Sequence, residues 1–564
     1  MQLPHQKRSA DEWPCPPNPK SQIPNPKSAA MHLVLVSPTS YAESFPIGLA
    51  YLAANLRPAD TAEVLDAGAL GLDVRQTAER VLAAKPRVVG MSYMTYQAEW
   101  CYELSKRLKE AAGNLVIVHG GIHASVLPDD ALAHGADCVV IGEGEETLVE
   151  ALDRVRAGQG FGGIAGLCFK QPGTQDVVTT MPRPLIKDLD KLAPPRWDAF
   201  DLKLYHETIH VVPGAALPIM ASRGCAFNCS FCSSLWKQKV RYRTLDNVMA
   251  ELKGDITRHG IRKYHFYDDN LLINLKFTEA LCRRILDEGL NIEWCCEARV
   301  GDINRNPAVL DLLAEAGCKG IEIGVESLDE TVLEKTNKRQ TTDDSFQAFE
   351  HLRRSGVQPI VLLMTCNIGE TIAGHHRQNR GLTRMTGRHS VFWGQYATPF
   401  PGSKFHDDAK QDGLVLAERW SDYVTRQMNF VPNSLLNDVP VRNRRWLNPL
   451  DRLFCRVALS RAARVTHLPP DIGVSAPTVY PLIDGTRTVR AIADEFVRVR
   501  GTPPKTTLQE VVKVIIALAQ LGLIGSAAPD GQTKPYGLAW LLGLAFTQLR
   551  RYIACIQTAV SRKT

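Results

Sequence analysis

The pattern that most limits the possible folds is a repeated alternation of short buried strands and amphipathic helices. It runs from Met31 to about residue 170, and it starts again at Leu217. Strands that alternate with helices form parallel sheets covered on both faces, and such sheets bind ligands at the carboxyl ends of their strands. The sequence therefore predicts an α/β protein with two successive parallel sheets, each with its functional residues along one edge.

Three cysteines follow the first strand of the second repeat. They have the spacing Cys225-x3-Cys229-x2-Cys232, directly after the apolar run Leu217 to Ala221. Three thiolates this close together hold soft metals, and a 4Fe-4S cluster bound by only three cysteines keeps one iron open for a substrate. Structural zinc would use the same ligand type, but it needs a fourth protein ligand. The nearest histidines are not placed to supply one, so we predict an iron-sulfur cluster; they are His206, His210 and His259.

The cysteine spacing and its position after a strand resemble the radical S-adenosylmethionine (SAM) superfamily. The resemblance implies a partial (β/α)6 barrel over residues 217–405, in which the open iron chelates the amino and carboxylate groups of SAM. It also implies that polar residues at the strand ends bind the nucleotide through charge-assisted hydrogen bonds. The candidates are Asp268, Asp269, Glu297, Arg299, Glu326 and Ser327. The alternative is that these residues only pair with one another at the barrel rim.

Small residues follow the predicted strands of the first repeat. Because glycine has no Cβ, a large flat ligand can approach the backbone closely at these positions. The candidate ligand-binding residues are Ser92, Tyr93, Gly120, Gly121, Gly142, Glu143 and Gly144. Alternatively, these are the ordinary strand-to-helix turns of any flavodoxin-like domain.

The order of four segments in this repeat resembles the cobalamin-binding domain that is fused to many radical SAM enzymes. The segments are PIGLAYLAANL, VVGMSYMT, VHGGIHAS and DCVVIGEGEETL. The resemblance covers about residues 31–170 and implies a flavodoxin-like cobalamin domain. Some cobalamin domains carry an Asp-x-His-x-x-Gly motif, but here Gly68 stands at the histidine position of the segment Asp66–Gly71. We therefore expect no histidine below the cobalt, and we expect His123 to be a loop residue at the ligand periphery.

The remaining segments have weaker signals. Residues 1–30 have the composition of a disordered leader, and residues 171–216 that of a proline-rich linker. Residues 406–474 are expected to form a helical extension, and 527–564 a C-terminal helix. Residues 475–526 resemble the winged-helix peptide-binding domain of pyrroloquinoline quinone biosynthesis, although a cap without peptide function is an equal alternative. The basic segment GHHRQNR after the fifth barrel strand is interpreted as a solvated helix face rather than an altered substrate pocket.

Composition excludes few functions. The net charge of +6 over 564 residues argues against a dedicated nucleic-acid-binding protein. No apolar run reaches the length of a membrane span. The cysteines outside the triad are scattered in apolar contexts as reduced thiols are, which together with an oxygen-sensitive cluster favours a cytoplasmic location.

Together the two resemblances imply a cobalamin-dependent radical methyltransferase. Its cofactors would be a 4Fe-4S cluster, SAM and cobalamin, and its substrate an unactivated carbon of a peptide or a small natural product. An electron donor such as flavodoxin or ferredoxin would be required. The alternatives are non-methylating oxidation or ring formation by the same cofactors, and a carrier without catalysis. A methylthiotransferase would need a second cysteine triad, which the sequence lacks.

Overall fold

The computed structural model describes most of the chain from residue 30 to residue 526. The described residues are 30–38, 45–171, 173–174, 176–205, 214, 216–385, 391–436, 441–443, 479, 488–500, 504–520 and 524–526. The predicted leader and the predicted C-terminal helix lie outside them. No helix within these ranges is both long and apolar enough to cross a membrane.

The first repeat forms a seven-stranded sheet in the order β2-β1-β3-β4-β5-β6-β7. Its strands are β1 (His32–Ser37), β2 (Thr61–Asp66), β3 (Val88–Ser92), β4 (Val116–Gly120), β5 (Cys138–Val140), β6 (Leu167–Lys170) and β7 (Val177–Thr179). The first five are parallel as predicted, whereas β6 and β7 add an antiparallel hairpin. β7 lies within residues 171–216, which were expected to form a linker. The helices are α1 (Ile47–Ala54), α2 (Val74–Ala83), α3 (Ala98–Ala111), α4 (Gly121–Val126), α5 (Pro128–Ala133) and α6 (Glu145–Ala157).

The second repeat forms a six-stranded, wholly parallel sheet that has the predicted strand count. Its strands run in sequence order across the sheet, and a small antiparallel pair, β9 and β10, flanks the cysteine loop. The strands are β8 (Leu217–Ile219), β9 (Ser222–Arg223), β10 (Arg241–Tyr242), β11 (Lys263–Phe266), β12 (Glu293–Ala298), β13 (Cys318–Glu326), β14 (Gln358–Thr365) and β15 (Val391–Tyr396). The helices are α7 (Leu245–His259), α8 (Leu275–Asp287), α9 (Val300–Arg305), α10 (Val309–Glu315), α11 (Glu330–Lys335), α12 (Thr342–Ser355) and α13 (Ile372–Arg384).

The C-terminal part departs from the expected helical extension. A helix is present at its start, but an antiparallel pair of short strands follows, and all three residues of the second strand are buried. The elements are α14 (Lys404–Asp412), β16 (Gly413–Val415), β17 (Phe430–Pro432), α15 (Asn433–Leu436), β18 (Val441–Asn443), α16 (Val489–Arg500), α17 (Pro504–Gln520) and β19 (Ile524–Ser526). The paired strands β18 and β19 and the two helices α16 and α17 are compatible with a winged-helix arrangement. Residues 453–474, which precede the expected winged-helix segment, are outside the described residues.

The two sheets contact each other through several segments. Phe45, at the start of α1, stacks on Tyr205 with ring centroids 3.9 Å apart and belongs to the same apolar core as the barrel strands. On the other side, the Trp420 indole donates a 2.8 Å hydrogen bond to the Asp130 carboxylate. These contacts join the first α/β unit to the linker before the barrel and to the segment that follows it.

Candidate active site

The cysteine loop is held by backbone hydrogen bonds on both sides. The Ser230 amide donates to the Thr336 carbonyl at 3.0 Å, and the Phe405 amide donates to the Ser230 carbonyl at 2.9 Å. The turn begins at Gly224, whose φ of +96° is in the left-handed region, and a Cβ there would collide with the Lys239 carbonyl oxygen. The backbone conformation at this point therefore depends on glycine.

The three cysteines suit a cluster rather than a single zinc ion. All three are free thiols; Cys229 is buried, whereas Cys225 and Cys232 are partly exposed. One zinc ion with Zn–S bonds of about 2.3 Å would need the sulfurs within about 3.8 Å of one another. The three sulfur atoms of the described loop do not all lie within 4.8 Å of one another. This wider separation is what three different irons of one cluster require, and the residues fit the group that the motif implies.

Arg299 lies directly on the cysteine loop. Its guanidinium donates a 3.1 Å hydrogen bond to Cys229 Sγ, donates a second to the Lys338 carbonyl, and stacks on the Phe227 ring at 3.8 Å. A cation beside a thiolate stabilises its negative charge. Arg299 was predicted to bind the nucleotide; the structure places its side chain against the cysteine loop, and the nucleotide contact stays a prediction.

Three more side chains that were predicted to bind the nucleotide have hydrogen-bond or ion-pair partners within the chain. Asp268 accepts hydrogen bonds from the Ala221 amide at 3.0 Å and the Ser222 hydroxyl at 2.5 Å, which fixes the strand that leads into the cysteine loop. Glu326 pairs with Lys338 at 2.7 Å, and the hydroxyl of Ser327 is fully buried and 3.2 Å from Gln378. Asp268, Glu326 and Ser327 therefore have partners within the chain, none of which is another of the six candidates, and their contact with the nucleotide stays a prediction.

The surroundings of Asp269 and Glu297 differ from those of the three residues above. Asp269 accepts a hydrogen bond from the Gly224 amide, so its carboxylate lies at the cysteine loop. Burial, together with the nearby carboxylates of Glu322, Asp269 and Glu326, raises the pKa of Glu297 to about 8. Asp269 is therefore the predicted residue best placed to reach a nucleotide at the loop.

Sequence reasoning missed two polar residues inside the barrel. His265 of β11 and Glu322 of β13 lie with Glu297 of β12, and their ligand atoms are all within 4.8 Å of one another. The available signal was a polar residue at an inward position of an otherwise apolar buried strand, in KYHF and CKGIEIGVE.

The carboxyl edge of the first sheet has an open face at Gly142. This glycine has a φ of +83°, and no described atom lies within 4 Å of the position that its Cβ would occupy. Gly121, with φ +86°, is the opposite case, because a Cβ there would lie 2.6 Å from the Tyr93 amide. Gly121 thus permits close backbone packing, while Gly142 borders open space, and its contact with cobalamin stays a prediction.

The aromatic residues at this edge point into the domain. The Tyr93 hydroxyl is 2.9 Å from His119 Nδ1, and Tyr93 is only 2% exposed. His123 is part of α4 rather than of a loop; it is buried, and its Nε2 is 3.1 Å from the Tyr102 hydroxyl. Burial lowers the pKa of His119 to about 3 and that of His123 to about 4. Both imidazoles are therefore neutral core groups, and the expectation of a peripheral loop position for His123 is corrected.

Glu143 links the two sheets. Its carboxylate accepts hydrogen bonds from Arg223 at 3.2 Å, from Arg241 at 2.8 Å and from the Ile186 amide at 2.8 Å. Arg223 also pairs with Glu145, the first residue of α6, at 2.6 Å. The Glu143 side chain was predicted to contact cobalamin, but it is committed to this buried network, which we call the Arg223 bridge (Arg223, Arg241, Glu143 and Glu145).

The GHHRQNR segment is not a solvated helix face. It forms the middle of α13, and His375 and His376 are 1% and 6% exposed while Arg377 and Arg380 are exposed. His375 Nε2 lies 3.4 Å from the buried Glu370 carboxylate. The apolar core of α15, α16 and α17 extends to Ile372 of this helix, which explains why its histidine face is covered.

Comparisons with known proteins match both halves of this site. The Radical SAM superfamily model matches residues 219–375, and the B12 binding domain model matches residues 34–152. An uncharacterized methyltransferase of Pyrococcus horikoshii is 30% identical over 390 residues, covering 67% of this chain and 82% of the relative. An anaerobic magnesium-protoporphyrin IX monomethyl ester cyclase of Rubrivivax gelatinosus is 30% identical over 324 residues, covering 55% of this chain and 57% of that protein.

A solved structure agrees with the fold. The radical SAM methyltransferase TsrM from Kitasatospora setae, solved with cobalamin and a [4Fe-4S] cluster, superposes with a TM-score of 0.56 at 19% identity. The match covers 75% of this chain and 82% of TsrM. The fold and the site therefore define a radical SAM enzyme with a cobalamin domain.

The chain belongs to the cobalamin-binding radical SAM family of methyltransferase-like enzymes. Its cofactors are a 4Fe-4S cluster, SAM and cobalamin. The predicted fold class, enzyme class and cofactors are thereby confirmed. The individual cofactor-binding residues and the domain boundaries stay predictions.

Gly142→Ala is expected to weaken cobalamin binding by roughly tenfold, because the new methyl group enters the open face. Gly158→Ala is the matched control, since Gly158 also has a left-handed φ, +65°, and open space but lies at the far end of α6. Both variants should lose about 1 kcal/mol of stability from backbone strain. Titration with hydroxocobalamin and thermal unfolding measure the two effects. Equal cobalamin affinities in the two variants would contradict the assigned face.

Proposed function

We propose that this enzyme methylates an unactivated carbon of a peptide or small natural-product substrate bound between its two sheets. When bound, the cluster would supply the electron that cleaves SAM and cobalamin would supply the methyl group. The observation that carries the proposal is the Arg223 bridge, which joins the cysteine loop to the helix that follows the cobalamin edge.

The bridge supports methyl transfer because that reaction needs two cofactors at a fixed separation. Arg223 is two residues before Cys225, and Glu143 immediately follows Gly142 at the open face. All four side chains are at most 12% exposed. A buried network of ion pairs therefore runs from the segment before Cys225 to the turn at Gly142, which supports a fixed separation of the two proposed cofactor sites.

Residues of the barrel would hold the loop and keep water out. In the proposal, Cys225, Cys229 and Cys232 bind the cluster and Arg299 stabilises the Cys229 thiolate. Asp268 fixes the strand that enters the loop, and Asp269 reaches the nucleotide. Because the cofactors perform the difficult steps, the chain contributes orientation and exclusion of solvent.

A second candidate is non-methylating oxidation or ring formation by the same cofactors. It is favoured by the likeness to an anaerobic cyclase, although the chain spans only 57% of that protein's length. The likeness to the P. horikoshii methyltransferase extends over 82% of that relative and supports the first candidate.

The proposed reaction requires a reducing environment and a partner protein that delivers electrons. An oxygen-sensitive cluster would operate in the cytoplasm with a flavodoxin or a ferredoxin as donor. A precursor peptide is one substrate class, since residues 475–526 resemble a leader-binding domain. A small molecule is the other, as the TsrM structure with tryptophan illustrates for a protein of similar fold.

Anaerobic reconstitution with iron, sulfide and hydroxocobalamin tests this function. The holoenzyme is incubated with methyl-deuterated SAM, a reductant, and candidate peptides and small molecules. Formation of both 5'-deoxyadenosine and S-adenosylhomocysteine, with deuterium in the product, supports the methyltransferase. Deoxyadenosine with a modified but unlabelled product would establish the second candidate instead.

A further inference from the structure

Three titratable side chains meet inside the barrel, away from the cysteine loop. His265, Glu297 and Glu322 lie on the adjacent parallel strands β11, β12 and β13. One ligand atom from each lies within 4.8 Å of the other two, and among the described residues they form the only such group of histidine, cysteine and acidic side chains.

His265 packs against the Tyr267 ring but has no hydrogen-bond partner in the part of the chain that the structure describes. It is 7% exposed, and neither ring nitrogen makes a hydrogen bond to any described residue. The nearest carboxylate oxygen, Glu322 Oε1, is 4.0 Å from Nε2, which is too far for a hydrogen bond. Buried polar groups normally have partners, so an imidazole with two unpaired nitrogens indicates an occupant between the three side chains.

The two carboxylates also lack a cation. No described lysine or arginine forms an ion pair with Glu297 or Glu322, and the nearby Lys338 is paired with Glu326 at 2.7 Å. Burial raises the pKa of Glu322 to about 7 and that of Glu297 to about 8, which reflects the absence of a compensating positive charge. Burial lowers the pKa of His265 to about 4, so its ring is neutral and can offer a lone pair.

The size of the gap favours a bare ion. For three atoms within 4.8 Å of one another, a central point lies at most about 2.8 Å from each. Zinc bonds to nitrogen and oxygen are about 2.0 to 2.2 Å, so each ligand atom would move inward by less than about 1 Å, within reach of the terminal torsions. His265 and Glu322 side chains are only 9% and 12% exposed, which admits an ion more readily than a substituted ammonium group. A mixed nitrogen and oxygen set suits zinc or manganese rather than calcium or magnesium.

We propose that His265, Glu297 and Glu322 bind a divalent zinc or manganese ion that is separate from the iron-sulfur cluster. Three protein ligands leave at least one coordination position open, as in catalytic zinc sites. The site lies deeper in the barrel than the cysteine loop, because His265 precedes Asp269 by four residues on β11 and the loop that follows it. An oxygen or nitrogen atom of a substrate could take the open position; this role rests on the proposed function, whereas binding of the ion does not.

Metal analysis of the cluster-loaded holoenzyme tests the site. The wild type and variants are reconstituted, exposed to a small excess of zinc or of manganese, desalted, and analysed for iron and the added metal. We expect about one zinc or manganese per chain in the wild type, and at least a fivefold lower content in His265→Ala and Glu322→Gln with iron unchanged. Glu293→Gln is the control, because Glu293 is on the same strand as Glu297 but is 44% exposed.

Two results would overturn the proposal. One is a wild type that retains neither metal, which would leave water or an ammonium group as the occupant. The other is an equal zinc or manganese content in the wild type and in Glu322→Gln. Glu322→Gln preserves the side-chain shape, and its iron content and circular dichroism report whether it is folded. If His265→Ala is unfolded, Glu322→Gln alone decides, and neither result depends on knowing the substrate.

Discussion

Replacing Cys229 by alanine is expected to abolish the iron-sulfur cluster and all turnover while leaving cobalamin binding nearly unchanged. Two thiolates cannot hold a cluster whose third cysteine ligand is missing, so iron content should fall from about four per chain to near zero. Cobalamin binding persists because the open face at Gly142 belongs to a separate sheet with its own apolar cores. Iron and sulfide analysis, hydroxocobalamin titration and deoxyadenosine formation measure the three effects.

Cys282→Ala is the matched control for this variant. Cys282 is equally a reduced thiol, but it is buried in α8 and lies outside the loop. Its removal costs some packing and should leave iron content and turnover near those of the wild type. Loss of cobalamin together with iron in a folded Cys229→Ala protein would refute the independence of the two sites.

Much of the fold was predictable because it follows from local periodicity. The six strands of the barrel sheet are short apolar runs, most of them followed by a helix, so they could be placed to within a few residues. The two-residue strands β9 and β10 beside the cysteine loop were not predicted. The hairpins β6–β7 and β16–β17 were not predicted, since strands of three or four residues carry too little pattern. The cysteine loop was predictable because ligand spacing is written directly in the sequence.

The side-chain roles were less predictable, because a polar residue at the end of a parallel strand can either face a ligand or hold a neighbouring segment in place. Asp269 and Asp268 are neighbours in sequence, yet one reaches the loop turn while the other supports the strand behind it. Which carboxylate faces a ligand depends on the pleat and on partners such as Ser222, which are distant in sequence. Glu143 shows the same limit, because its partners Arg223 and Arg241 are some 80 and 98 residues further along the chain.

Arg223→Gln should separate SAM cleavage from methyl transfer. The substitution leaves Glu145 buried without its ion-pair partner, since Arg223 is the only described cation that pairs with it. Breaking one side of a buried ion pair costs about 3–5 kcal/mol of unfolding free energy. Because the bridge fixes the cysteine loop against the cobalamin edge, the ratio of methylated product to deoxyadenosine should fall by about tenfold or more.

Two further variants distinguish a positioning role from simple loss of stability. Arg57→Gln removes an ion pair with Asp153 that is 51% and 33% exposed, so it should cost at most about 1 kcal/mol and leave the product ratio unchanged. Arg223→Lys keeps the charge but can reach only one of the two carboxylates, so an intermediate ratio is expected. The ratio is measured at a temperature where every variant is folded and loaded with both cofactors. If Arg223→Gln is less stable yet keeps the ratio of the wild type, the bridge holds the domains together without orienting the cofactors, and the observation that carries the methyltransferase proposal loses its force.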